Sequence, residues 1–271
     1  MAIDQPRSTE FRLADIREAL PRLRPADPAA ASASMAHSAA LGQAGTPAAE
    51  LRAWLAAWQG RAEPRIERPR IVLFAGVHGA TAPARAWAHA DARARIDALI
   101  AGTGPATPLA EQADVDLRVY EIAVDAAARA PSEATIARAI VYGMTVVDPG
   151  LDVLAVATLS PGLQWPAEGS DPFDALCRYG GEEIAAAMGA LIAARMARTP
   201  AICDGMGARL AAMLLERAQK GAADHVRAAR NAAGFRHGAV LDGAAAADTD
   251  AADAAAAILA LRALLAPIRQ N

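Results

Sequence analysis

Cysteine is scarce in this chain, with only Cys177 and Cys203 present. They form no Cys-x-x-Cys and show no metal-ligand spacing, so no metal site is expected, and a reduced, cytoplasmic thiol pair is the simple reading. Aromatic residues make up only 4% of the chain, and the formal net charge is -3 with both signs interspersed. Without a basic tract or aromatic–basic interleaving, a nucleic-acid surface is not expected. No stretch reaches the roughly 20 apolar residues that span a bilayer. The opening segment, MAIDQPRSTEFRLADIREAL, carries acids and lacks an apolar centre, so it does not read as a secretory signal. A cytoplasmic protein with no membrane partner is the expectation. The sequence also lacks a Walker P-loop, a Gly-x-Gly-x-x-Gly after a strand and a Gly-x-Ser-x-Gly elbow. No cofactor is expected.

What the chain has in plenty is alanine, the strongest helix former, within a hydrophobic fraction of 54%. Its 271 residues suffice to bury a sizeable core. Residues 8–24 read as an amphipathic helix through Phe11, Leu13, Ile16, Leu20 and Leu23. Residues 25–46, rich in Pro, Ala, Ser and Gly, read as a linker or exposed loop. The expected organisation is therefore an N-terminal helix and loop over 1–46, then a single α/β domain over 47–271. Thr46 and Pro47 open a helix over 47–59, with Leu51, Trp54, Leu55 and Trp58 on one core-facing side.

Residues 70–75 (RIVLFA) form a continuous apolar run ending at Gly76, as in a strand buried on both faces of a parallel sheet. Further strands are predicted at 117–124, 152–158, 200–203 and 239–241. Helices are predicted near 90–101, 106–113, 132–146, 181–198, 206–219, 222–231 and 251–266. This alternation predicts an open, doubly wound, Rossmann-like parallel sheet covered by helices on both faces. Ligands of such sheets sit beyond the carboxyl ends of the strands.

The loops after the strands hold the candidate residues. Gly76-Val77-His78-Gly79 follows the first strand, and His78 is a general base, a hydrogen-bond donor to a ligand, or a loop histidine satisfied by backbone. Asp204 and Gly205 precede a helix; the Asp either caps that helix or binds a ribose hydroxyl. Gly180 and Gly181 precede another helix, whose first amides suit an anion, while Glu182 and Glu183 also favour its positive end without any ligand. Asp224-His225 and Arg236-His237 read as surface or capping pairs.

Several segments together resemble the nicotinate-nucleotide–dimethylbenzimidazole phosphoribosyltransferases. Residues 74–79 (FAGVHG) resemble that family's FAGDHG, and 180–190 (GGEEIAAAMGA) resemble its GGxEIAAxxGA. Residues 200–205 (PAICDG) resemble PVLLDGF, and Ala222 to His237 resemble ADxLxAAHxSxExGH. The order and intervals agree from about residue 47 to 266.

The resemblance implies a doubly wound fold with a small helical subdomain, a homodimer, and transfer of phosphoribose from nicotinate mononucleotide to a benzimidazole base in cobalamin lower-ligand synthesis. Its partners would be a nucleotide and an aromatic base. The chemistry needs a carboxylate for the ring proton, backbone amides for the 5′-phosphate and an apolar slot for the base. The family's GEMGIGNTT loop corresponds to Ala157–Trp165 here, with Thr158 at the Glu position, Gly162 as the surviving glycine, and Pro161 removing an amide donor. Its catalytic Glu corresponds to Thr249, flanked by Asp248 and Asp250 as the candidate bases. In the base slot Trp87 takes a Tyr position and can stack on a flat ring, and His89 takes a Gln position. The alternative is a non-catalytic relative that binds a nucleotide or base.

Overall fold

The computed structural model describes residues 11–78, 82–124, 130–164, 169–229 and 250–265. Among the described residues five parallel strands, β1 (Pro69–Gly76), β2 (Asp116–Ala123), β3 (Val153–Leu159), β4 (Ala201–Asp204) and β5 (Val226–Ala228), lie in the order β2-β1-β3-β4-β5. The chain winds one way from β1 to β2 and the other way from β3 to β5. The reversal opens a crevice at the carboxyl ends of β1 and β3.

Strand alternation divides the interior into two cores. Val72, Phe74, Leu154, Val156 and Cys203 point to one face. There they meet α1 (Leu13–Ala19), α6 (Glu133–Met144), α8 (Gly181–Met196) and α9 (Gly205–Ala218). Ile71, Leu73, Ala155, Ala157 and Ile202 point to the other. That face is covered by α3 (Pro47–Gln59), α4 (Ala82–Ile100), α5 (Thr107–Gln112) and α10 (Ala252–Leu265). The expected doubly wound α/β sheet with helices on both faces is what the structure shows. Among the described residues no helix is long and apolar enough to cross a membrane.

α6 and α8 cross at backbone contact. A Cβ on Gly143 would lie 1.9 Å from the Ala186 carbonyl oxygen, and one on Gly189 would lie 1.9 Å from that of Ile140. A short α7 (Pro172–Ala175) and a π-helical turn, Leu176–Gly180, lead into α8.

Three expectations differ from the structure. Residues 25–46 are not a loop throughout, because Pro28–Ala40 form α2. Asp27 caps it by accepting the Ala29 and Ala30 amides at 3.0 and 3.1 Å, and Pro28 suits its first turn. Alanine-rich sequence needs only such a start signal and a neighbour, here α3, to form a helix. Second, the helix expected over 222–231 is instead a turn followed by β5, which the β4 edge captures through parallel pairing of Val226–Ala228 with Ala201–Cys203. Third, His225 is no surface residue; it is fully buried. Its Nε2 engages the Leu191 carbonyl at 2.9 Å, and its ring meets Trp58 edge-on. The strand expected at 239–241 and the Arg236-His237 pair lie outside the described residues.

Candidate functional site

The crevice is floored by the loops after β1 and β3. The His78 amide donates to the Pro161 carbonyl at 3.0 Å, stitching the two loops together and placing Gly162 next to that link. The His78 ring turns toward α8, where Nε2 hydrogen-bonds Glu183 Oε1. Glu183 is 1% exposed and His78 16%, so the carboxylate is sealed while part of the imidazole stays exposed. A carboxylate so deeply buried needs a partner, and the imidazole supplies it.

Glycines make room for this pair. A Cβ on Gly76 would sit 2.3 Å from Glu183 Cδ. One on Gly181 would sit 2.8 Å from Glu183 Oε2 and 3.1 Å from His78 Cε1. Gly181 also has φ 74°, a left-handed conformation that glycine adopts without cost. Glu182, the residue just before Glu183, is half-buried. Burial first, and then the Glu183 charge, hold its carboxyl above the usual carboxylate range, while Arg138 pulls the other way.

The structure thus brings His78, Gly162, Gly180, Gly181 and Glu182 to one end of the sheet, and it adds Glu183. Sequence reasoning treated Glu183 only as a charge suited to a helix start. The spacing of GGxEI, with one free position between the glycine pair and the Glu, is the signal that points to Glu183.

At β4, Asp204 caps a helix, though not the one that follows it. Its Oδ2 accepts the Ala254 amide of α10 at 2.9 Å, and no side-chain cap bond is made to α9. Gly205 opens α9 directly behind it. Thr158, matched to the family's Glu in the sequence reading, is buried, and its Oγ1 accepts the Ala208 amide of α9 at 3.1 Å. This residue holds α9 against β3.

Asp250 lies just before α10, 8% exposed, and its carboxylate is gripped by Arg95 of α4. Arg95 Nε lies 2.8 and 3.1 Å from its two oxygens, Nη2 adds another contact, and Asp91 braces Nη1 at 3.1 Å. Trp87 and His89 ride on α4, the indole 64% exposed and the imidazole half-buried. Gly79 and Asp248 lie outside the described residues. Among the described residues no group of three or more His, Cys, Asp or Glu side chains is placed to hold a metal ion. A shallow groove of about 330 Å³ between Leu99, Thr107, Asp114 and Leu117 lies by the start of β2, and no candidate residue lines it.

Comparison with known proteins bears on this arrangement. A family model described as phosphoribosyltransferase matches residues 28–162 and 155–248. The chain is 30% identical to a nicotinate-nucleotide–dimethylbenzimidazole phosphoribosyltransferase of Methylocella silvestris, over 84% of this chain and 83% of that relative. It is also 30% identical to the enzyme of that name from Rhizobium rhizogenes, over 65% of this chain and 67% of the relative. The solved nicotinate-nucleotide–dimethylbenzimidazole phosphoribosyltransferase of Thermus thermophilus shares the fold with a TM-score of 0.69 at 19% identity, covering 88% of this chain and 95% of that one. The family model and the relatives agree, and the chain belongs to the nicotinate-nucleotide–dimethylbenzimidazole phosphoribosyltransferase family.

Proposed function

We propose that this chain transfers phosphoribose from nicotinate mononucleotide to a benzimidazole-type base and releases nicotinate. The observation that carries this reading is the crevice at the carboxyl ends of β1 and β3, where a buried carboxylate–imidazole pair faces two loops and a helix start. In this reading the first amides of α8 behind Gly180 and Gly181, with the Gly162 loop, take the phosphate, since helix starts favour anions. Glu182 borders the sugar. Trp87 and His89 on α4 offer a flat ring and a polar group to the incoming base. Asp204 and Gly205 fix the far wall, with Asp204 acting through α10. The relatives' names support this substrate pair. A homodimer working in the cytoplasm completes the proposal.

The test is direct. Purified chain is incubated with nicotinate mononucleotide and dimethylbenzimidazole, and nicotinate and the ribotide product are quantified by mass spectrometry. Product with stoichiometric nicotinate is the expected result. Saturable binding of either ligand without turnover would replace this reading by a non-catalytic binder. Light scattering on the same preparation measures the oligomeric state.

A further inference from the structure

We propose that Arg209 holds the 5′-phosphate of the donor nucleotide. The proposal rests on the phosphoribosyl-transfer reading above, and it adds a cation to the amides at Gly162 and Gly180–Gly181. Among the described residues the buried arginines are Arg70, Arg195 and Arg209. Arg70 is bound by Asp116 and Asp148. Arg195 donates to the Arg24 and Gly221 carbonyls and lies over the Trp58 ring. Arg209 is 8% exposed, and among the described residues it makes neither an ion pair nor a hydrogen bond.

A guanidinium does not shed its proton, so burial leaves it charged, and a buried charge is costly until an anion meets it. Its donors form a flat fork that matches a phosphate monoester through two parallel N–H bonds. The loops assigned to the phosphate bring little positive charge of their own. Pro161 has no N–H, and the Leu163 amide is taken by the Ser160 carbonyl at 3.1 Å. At the start of α8, Glu182 and Glu183 place negative charge beside the Gly181 amide.

The position of Arg209 fits this role. It lies just past the first turn of α9, the helix that starts at the carboxyl end of β4. A helical side chain leans toward the start of its helix, so the Arg209 stem runs back toward the strand ends. Burial pushes the Cys203 thiol of β4 up, and the Arg209 charge pulls it the other way, so the guanidinium is within electrostatic reach of that strand end. The same turn of α9 meets the loop after β3. The Ala208 amide donates to Thr158 Oγ1, and a Cβ on Gly207 would stand 3.0 Å from Ser160 Oγ, two residues before Gly162. α9 also packs against α7 and the π-helical turn that ends at Gly180.

The experiment uses the full chain with nicotinate mononucleotide, nicotinate riboside and inorganic phosphate. Calorimetric titration gives Kd for the mononucleotide and the riboside, and thermal unfolding is followed with and without inorganic phosphate. Arg209→Met is expected to bind the mononucleotide about 10- to 100-fold more weakly, with riboside affinity unchanged. Arg209→Lys, which keeps the charge and loses the fork, should fall between. Methionine fills much of the arginine stem and removes a buried charge, so in phosphate-free buffer Arg209→Met should unfold no earlier than wild type. It should also lose the stabilisation that phosphate gives the wild-type chain. Wild-type affinity for the mononucleotide in Arg209→Met, or an equal loss of affinity for mononucleotide and riboside, would overturn the assignment while leaving the transfer reading intact. A wild-type chain that binds neither nucleotide nor riboside overturns the transfer reading, and the phosphate arm then decides Arg209 alone. Stabilisation by phosphate that Arg209→Met loses keeps an anion site at this residue; stabilisation equal in both proteins, or absent from both, rejects it.

Discussion

Gly76 and Glu183 compete for one volume: a methyl on the glycine would stand 2.3 Å from the carboxyl carbon, well inside van der Waals contact. The obstacle is a side chain, so a Gly76→Ala protein can fold by pushing Glu183 away from His78. Overpacking of this kind costs about 1–3 kcal/mol. The expected variant is folded, less stable by that amount, and strongly reduced in nicotinate release. Thermal unfolding and turnover on one sample check it; an unchanged rate would detach the pair from the chemistry.

The crossing of α6 and α8 leaves less freedom. At Gly189 the obstacle is the Ile140 carbonyl, and at Gly143 it is that of Ala186. Backbone cannot rotate aside, so the helices must separate. Gly189→Ala is expected to cost about 3 kcal/mol or more, the upper end of overpacking. Gly143→Ala should cost a similar amount, and the double variant should lose less than the sum because one displacement relieves both clashes. Midpoints of urea unfolding measure all three.

His225 gives stability a pH dependence. Burial, and then the charge of Arg195, push it down to about 3, against the help of the Leu191 carbonyl. Unfolded, the imidazole titrates near its ordinary value of about 6.5. Between these values the unfolded chain binds the extra proton, so stability rises with pH there. The contribution is full above about 6.5 and is lost as pH falls toward the folded value. Moving from pH 7 to pH 5 should remove about 2 kcal/mol through this residue. His225→Gln should be less stable at pH 7 and should show a shallower decline toward pH 5.

Arg95 and Asp250 tie α4 to the start of α10. Asp250 and Ala251 both have positive φ, 52° and 67°, an uncommon conformation for residues with a Cβ. The ion pair helps hold that turn. Arg95→Ala leaves a poorly exposed carboxylate without its cation and is expected to cost about 2 kcal/mol. Asp250→Asn should cost a similar amount in thermal unfolding.

How much of this was legible depended on whether the signal was local. β1, β3 and β4 were readable as short apolar runs, and β2 as a stretch of mixed polar and β-branched or aromatic residues, each at a helix-to-strand change of period. β5 was not, since Val226-Arg227-Ala228 sits among alanines and becomes a strand only through the open edge of β4. α2 was obscured by its Ser and Pro content, although Asp27 before Pro28 is a start signal. The place of the site, at the strand ends, was legible from His78 and the Gly180–Gly181 pair. The choice between Glu182 and Glu183 was not, because α8 is buried nearly all round and its pattern carries no inward direction. Asp250 looked like an available base because its partner Arg95 is 155 residues away.

The sheet order also governs how copies of this protein can meet. β2 lies at one rim of the sheet, and its exposed residues Asp116, Arg118 and Glu121 line that rim with charges of both signs. Arg118 is paired with Asp116, and Glu121 with Arg93. A strand from another molecule docking there would strip water from these groups and break their pairs, so lateral growth toward fibrils is opposed at that rim.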